Sequence, residues 1–167
     1  AAEAEKLERL SQPLRAISTK IDIERFMGRW FVVASKPTFL EKGKMNCIED
    51  YTWDDTRKVV QVRFSMTSGP NSGPTVFHQR ASVLDEVGSR WAIRPKVGGV
   101  YLPLDISYLI IACAEDYSST IIGVPDRSYV WIMARNSHIE QSVLEGLIEE
   151  AVNQGYDAKK IVKVVHS

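Results

Sequence analysis

The feature that most constrains the fold is a succession of short β-rich segments, followed late by one amphipathic helix. Val60, Val62, Phe64 and Met66 alternate with polar residues, a period of two that is typical of a strand with one buried face. Further segments of strand composition occur at 30–35, 75–84, 89–94, 107–114, 119–124, 129–134 and 161–165. Gly, Pro or Asp separates most of them, so the pattern predicts an antiparallel sandwich or barrel.

One strong helix is predicted over about 138–155. Ser137 and Glu140 have the spacing of a capping box, and Gly155 is a natural helix stop. Between them lies a single apolar stripe, formed by Val143, Leu144, Leu147, Ile148, Ala151 and Val152. At the start of the chain, leucines at three- and four-residue steps predict only a weak helix. We therefore expect residues 1–20 to form a partly helical or loosely ordered arm before one domain at 21–167.

Composition excludes several classes of protein. The chain has 167 residues, with 21 basic and 21 acidic residues interleaved, and this balance argues against a nucleic-acid binder. Its apolar runs stop far short of the roughly 20 residues that a membrane-spanning helix needs. Cys47 and Cys113 form no metal-binding pattern with each other or with histidine, so no metal site is expected. Two alternatives are left for these cysteines: they form one disulfide, or they are two buried thiols.

No arrangement of residues indicates an enzyme. The three histidines are scattered at His78, His138 and His166, and the sequence has no nucleophile elbow, phosphate-binding glycine loop or zinc-protease motif. Adjacent acidic residues and Asp-Arg dipeptides are interpreted as turn residues whose charges are exposed to solvent. We therefore predict no catalytic residue and no cofactor.

Three segments in order resemble the signatures of the lipocalins. Residues 21–32, with Gly28-Arg29-Trp30 at their centre, resemble the first signature. Asp116-Tyr117 resembles the second, and the segment 124–135, which ends in Arg135, resembles the third. The resemblance extends from Ile21 to the C-terminus and favours the bacterial outer-membrane lipocalins and their plant and apolipoprotein D relatives. It implies an all-β, eight-stranded antiparallel up-and-down barrel with one C-terminal amphipathic helix packed outside.

The resemblance also implies which residues close the barrel. Trp30 is expected to plug the closed end, with the Arg135 guanidinium over its indole face. Gly28 lets the chain turn tightly into the first strand. Together with Asp116 and Tyr117, these residues are expected to stabilise the fold and not to contact a ligand.

Alternation then predicts which residues face the cavity. If Arg135 points outward, Trp131 and Met133 lie outside beneath the helix, and Val130 and Ile132 face inward. The apolar loop at 39–45 and the glycine-rich segment at 95–104 are expected at the barrel mouth. The residues expected to contact a ligand in the cavity or at its mouth are Val32, Ala34, Phe39, Leu40, Met45, Val60, Val62, Phe64, Met66, Trp91, Ile93, Tyr101, Val130 and Ile132.

The function predicted from the resemblance is to bind and carry a small hydrophobic ligand: a fatty acid, a lysophospholipid or an isoprenoid such as a carotenoid. The alternatives are an enzyme acting on a lipid or pigment, and a structural or assembly subunit. The segments at the barrel mouth are expected to cover the cavity as a lid; the alternative is that they make a peripheral contact with a membrane or a protein. The family predicts a location outside the cytosol: secreted, periplasmic or in an organelle lumen such as that of the chloroplast. The start at Ala1 fits either a mature end left by a targeting peptide or an artificial one.

Overall fold

The structure, a computed structural model, describes residues 2–167, without the side chains of Lys6, Arg9, Leu10 and Ser11. The strands are β1 (Gly28–Lys36), β2 (Met45–Asp54), β3 (Val59–Thr67), β4 (Thr75–Val83), β5 (Arg90–Val97), β6 (Val100–Tyr101), β7 (Ile106–Cys113), β8 (Ser119–Gly123), β9 (Val130–Ala134) and β10 (Val162–Lys163). The helices are α1 (Ala2–Ser11), α2 (Ile23–Phe26) and α3 (Gln141–Asn153), followed by a 3-10 turn at Ala158–Lys160.

Eight strands close into an antiparallel barrel. Strands β1 to β5 and then β7 to β9 pair in chain order, and β9 returns to pair with β1. Closure leaves the barrel without free sheet edges. The predicted barrel with one C-terminal helix is therefore confirmed. Strand β6 forms a short hairpin with β5, and β10 pairs with Ala34 and Ser35 where β2 diverges from β1.

Sequence reasoning did not identify β2. Its inward-facing positions include the charged residue Glu49, which is only 3% exposed and lies opposite Trp30 and Phe64. A carboxyl group on the buried face of a strand breaks the apolar–polar alternation by which strands are recognised.

A bulge in β1 overturns the predicted orientation of Ala34. The pairing of β1 with β9 shifts register between Val32 and Ala34. An extra residue in one strand reverses the faces that follow it. Val32 therefore faces the barrel interior with Trp30, whereas Ala34 lies outside, in the apolar cluster that contains Leu144 of α3.

The predicted orientation of β9 is also wrong. Trp131 and Met133 pack in the interior cluster with Trp30, and Val130 and Ile132 pack outside in the cluster of α3. Trp131, Met133 and Arg135 do share one side, as a period of two requires. That side faces the barrel interior, where Arg135 meets the buried Trp30 ring.

Helix α3 begins later than predicted, and the capping box does not form. Glu140 is the N-cap in an extended conformation, with no side-chain capping bond, and Ser137 Oγ instead lies 3.0 Å from His138 Nδ1. The predicted stop is confirmed: Gly155 has φ +101°, and Tyr156 N donates to Ala151 O at 3.3 Å.

The N-terminal segment reaches the outer wall of the barrel after α1. Leu14 is buried in the outer cluster, and Ile17 N donates to Ile110 O at 2.8 Å. Arg127 Nη2 donates to Gln12 O at 2.6 Å. The chain therefore covers the barrel wall before the first barrel strand begins.

A substitution at Gly123 tests whether the N-terminal segment packs against the outer wall of the barrel. A Cβ at this position would lie 2.6 Å from the Tyr156 hydroxyl and 2.8 Å from Leu14 Cδ2. We expect Gly123→Ala to lower the free energy of unfolding by about 1–3 kcal/mol, measured by urea unfolding. The control is Gly146→Ala in α3, where an added Cβ would meet no side chain or neighbouring element within 4 Å and a gain of about 0.5–1 kcal/mol is expected. A neutral Gly123→Ala would show that Tyr156 and Leu14 do not cover this strand.

Candidate ligand-binding site

The closed end of the barrel is filled by aromatic rings around Trp30. Trp30 is 0% exposed, and its Nε1 donates to Phe26 O at 2.8 Å. The Phe26 ring lies 5.1 Å from that of Trp30, and the rings of Tyr51 and Trp91 complete the cluster. The Arg135 guanidinium carbon stands 3.7 Å from the Trp30 ring centroid. This end of the barrel is therefore a packed plug without room for a ligand.

Backbone contacts hold Arg135 in place. Its Nη1 donates to Arg29 O at 2.9 Å, and its Nη2 donates to Arg25 O at 2.6 Å. Gly28 has φ +97°, a conformation that favours glycine, and a Cβ there would lie 3.4 Å from Arg135 Nη1.

The remaining two signature residues shape the adjacent turn. Asp116 accepts hydrogen bonds from the backbone N–H and the hydroxyl of Ser118. The Tyr117 hydroxyl accepts from Asp22 N at 2.8 Å, and the Arg25 guanidinium covers the Tyr117 ring. Neither residue lines the cavity.

A cavity of about 300 Å³ occupies the other end of the barrel. This volume lies at the lower end of the range for small-molecule sites. Aromatic and aliphatic side chains make most of its wall. The residues that line it are Thr38, Leu40, Glu41, Phe64, Met66, Phe77, His78, Gln79, Pro95, Lys96, Val97, Ile106, Tyr108, Tyr129 and Trp131.

Three of the predicted ligand contacts, Leu40, Phe64 and Met66, line this cavity. Another group fills the interior without reaching it: Val32, Val60, Val62, Trp91 and Ile93. A third group, Ala34, Val130 and Ile132, lies outside the barrel in the cluster that contains Leu144, Ala34 because of the β1 bulge and the other two because of the orientation of β9.

The other three predicted contacts lie away from the cavity. Phe39 is 88% exposed, and Met45 lies in a groove against the C-terminal segment Val162–Val165. Tyr101 lies on the outer wall, where its hydroxyl donates to Gln61 Oε1 at 3.2 Å and the Arg80 guanidinium covers its ring. Tyr101 is directed outward because β6 pairs it with Lys96 on β5.

Sequence reasoning missed a buried acid that ties the loop at 37–44 to the barrel. Glu41 is 5% exposed. Trp131 Nε1 donates to Glu41 Oε1 at 2.8 Å, and the N–H and hydroxyl of Thr38 donate to Oε2 at 3.2 and 2.5 Å. Three neutral donors thus hold one carboxyl group in the cavity wall.

A second buried acid, Glu49, lies beneath the cavity. The Tyr51 hydroxyl donates a hydrogen bond to Glu49 Oε2. Burial raises the pKa of Glu49 to about 7; the Tyr51 hydrogen bond lowers it, and the neighbouring charges of Glu41 and Asp50 raise it. Burial also raises the pKa of Tyr108, and the two glutamates raise it further. Among the described residues, no lysine or arginine forms an ion pair with Glu41 or Glu49.

Residues 21–166 match the family model of the lipocalin-like domain. The chain belongs to the lipocalin family. It is 27% identical over 151 residues to temperature-induced lipocalin-1 of Arabidopsis thaliana, covering 88% of this chain and 80% of that protein. It is 22% identical over 148 residues to the outer membrane lipoprotein Blc of Escherichia coli K12, covering 89% and 81%.

Solved structures show the same fold. Insecticyanin from the tobacco hornworm Manduca sexta superposes with a TM-score of 0.69 at 18% identity, over 93% of this lipocalin and 88% of that chain. Lobster apocrustacyanin A1 superposes with a TM-score of 0.64 at 10% identity, over 94% and 92%. The resemblance read from the three signature segments is thus confirmed, and lipocalins bind small hydrophobic ligands.

Other kinds of site are not seen in the described part of this lipocalin. Cys47 and Cys113 are free thiols, and burial raises the pKa of Cys47 to about 12. Within residues 2–167, no three His, Cys, Asp or Glu side chains are grouped to hold a metal ion. None of the described helices has the length and apolar character needed to cross a membrane.

Glu49 makes the stability of this lipocalin depend on pH. Its pKa in the folded protein, about 7, lies above the ordinary 4.5, so the folded state binds the proton more tightly. The tighter binding of this proton therefore stabilises the folded state fully below the ordinary pKa of 4.5. This contribution to the free energy of unfolding is lost as the pH rises through about 7. Relative to Glu49→Gln, the unchanged protein should lose about 3 kcal/mol of unfolding free energy between about pH 4 and pH 8. Urea unfolding of both proteins across this range measures the difference, and parallel profiles would contradict the prediction.

Proposed function

We propose that this lipocalin binds and carries one small hydrophobic ligand in the cavity above Trp131. The observation that carries the proposal is an apolar space of about 300 Å³ at the end of the barrel away from the Trp30 plug. Phe64, Met66 and Phe77 supply one wall and Tyr129 and Trp131 another. Burial in such a space stabilises a ligand in proportion to its apolar area.

Fatty acids, lysophospholipids and isoprenoids, including carotenoids, are the ligand classes we propose. Each carries a chain whose burial contributes about 0.8 kcal/mol per CH₂ before ordering costs. Mass spectrometry of organic extracts from the native protein tests the proposal directly. A stoichiometric lipid or isoprenoid is expected. Native protein that carries none, and that also fails to take up N-phenyl-1-naphthylamine with a rise in fluorescence, would overturn it.

An enzyme acting on a lipid or pigment is the second candidate, and the pKa of Glu49 near 7 is what favours it. Glu49 does not line the cavity, however, so a bound molecule would not touch it. Incubation with candidate lipids and carotenoids, followed by a search for altered products, separates the two functions. A product that disappears in Glu49→Gln would favour the enzyme.

We also propose that the mouth touches membranes peripherally, outside the cytosol. Apolar side chains are exposed on both mouth segments: Phe39, Leu40, Val97, Val100 and Leu104. Lys42 and Lys44 stand on the same loop as Phe39, which suits an anionic lipid surface. The location is supported by relatives that are outer membrane lipoproteins.

Vesicle sedimentation tests the membrane contact. Binding is expected to phosphatidylcholine vesicles that contain phosphatidylglycerol, and to fall in Phe39→Ser. The control is Val143→Ser, at an exposed position on α3. Equal binding of both variants, or no binding to anionic vesicles, would contradict the proposal.

A further inference from the structure

We propose that the cavity prefers apolar ligands whose inner end carries a hydrogen-bond donor, an amine or a hydroxyl, over ligands that end in a carboxylate. This inference rests on the proposed carrier function and narrows its ligand class. It follows from two acceptors in the cavity wall, the Glu41 carboxyl group and the side-chain oxygen of Gln79.

The first acceptor is Glu41. Its carboxyl group is 5% exposed, lines the cavity and receives hydrogen bonds from three neutral donors on Thr38 and Trp131. A carboxylate has about four acceptor positions, so one remains for a ligand. A buried carboxylate without a counter-ion is costly, and a donor or cation brought by a ligand offsets that cost.

The second acceptor is Gln79, which lies in the cavity wall on β4. Its Oε1 is buried and has no hydrogen-bond partner, a condition found at no other buried side-chain atom of the described residues. Its strand neighbours alternate, so Phe77 and Gln79 face inward with Phe64 and Val62 opposite them. Once the side chains packed beside it move aside, a ligand hydroxyl or amine can donate to this oxygen, whereas a carboxylate can only accept from the Nε2 of the same amide.

No described basic side chain inside the cavity offsets these acceptors. Lys96 and His78 border the cavity, but the Lys96 ammonium lies 5.3 Å from the centroid of Tyr101 on the outer wall. His78 is exposed and lies opposite Arg63, on the outward side of β4. Glu49 adds a second acid beneath the cavity. The Tyr108 hydroxyl both donates and accepts, and so serves either kind of ligand.

A matched series of ligands tests the preference. Dodecylamine, dodecanol and dodecanoic acid share one chain length, and each is titrated near neutral pH against bound N-phenyl-1-naphthylamine. We expect the amine and the alcohol to bind at least about tenfold more tightly than the acid. Glu41→Gln should reduce the preference for the amine over the acid by at least about fivefold. Gln79→Leu removes both the acceptor oxygen and the Nε2 donor, so it should weaken the alcohol and the amine more than the acid. It alters the wall without touching the loop, and so decides the matter if Glu41→Gln folds poorly.

The matched control is Glu150→Gln, the same chemical change at an exposed position on α3, which should keep the full preference. Dodecanoic acid that binds as tightly as the amine and alcohol would overturn this inference and leave the carrier function standing. So would a preference that survives both Glu41→Gln and Gln79→Leu. If neither the probe nor any of the three ligands binds, the carrier function itself fails.

Discussion

Trp30→Ala is expected to lower the free energy of unfolding by about 3–5 kcal/mol. The substitution leaves a cavity in place of a fully buried ring and removes the face on which the Arg135 guanidinium stacks. It also leaves Phe26 O without the hydrogen bond from Trp30 Nε1. Equilibrium unfolding in urea, followed by circular dichroism, measures the loss.

The control is Phe39→Ala, which truncates an aromatic ring that is 88% exposed on the mouth loop. It should change the unfolding free energy by no more than about 0.5 kcal/mol. If Trp30→Ala kept its stability but lost ligand binding, Trp30 would belong to the ligand site and not to the plug.

Phe64→Arg is expected to abolish uptake of a hydrophobic probe. Phe64 lines the cavity and is 7% exposed, so the guanidinium would be directed into apolar space. Fluorescence titration with N-phenyl-1-naphthylamine measures the loss, and a circular dichroism spectrum of the variant checks that the barrel is folded.

The neighbouring residue supplies the control. Arg63 alternates with Phe64 on β3 and is exposed, and its Nη1 lies 3.8 Å from Asp50 Oδ2 on the outer face. Arg63→Gln removes only a surface ion pair, worth at most about 1 kcal/mol, and should leave probe binding intact. Equal loss of binding in the two variants would contradict the register of β3.

Alternation predicts which residues share a face of a strand, but not which face it is. On β3 the odd positions from Gln61 to Thr67 are polar, and the predicted inward orientation of Val60, Phe64 and Met66 is correct. On β9 all five residues are buried, because the helix covers one side and the interior the other. Nothing in the apolar run therefore distinguishes Trp131 from Ile132, and the predicted orientation of β9 is wrong because Arg135 points inward and not outward.

Two further features carry no local signal. The bulge in β1 falls within Val32-Val33-Ala34, where each residue is apolar and suits either face. The buried acids oppose the general tendency of carboxylates to stay in water, so Glu41 reads as a loop residue. The plug, in contrast, is what the family resemblance implies for Gly28, Trp30 and Arg135, and the structure brings these three residues together.

The hydrogen bonds of Glu41 have a consequence for rates. The loop at 37–44 is fastened to β9 across the mouth by the bond from Trp131 Nε1. The same carboxyl group lies in the cavity wall, so a proposed ligand that enters beneath this loop would have to disturb the hydrogen bond from Trp131 Nε1. For the proposed carrier, one side chain would thereby influence both the residence time and the affinity of the ligand. Trp131 is one of four tryptophans and lies at this hydrogen bond itself, so the part of a stopped-flow fluorescence change that Trp131→Phe removes would report the opening of the loop.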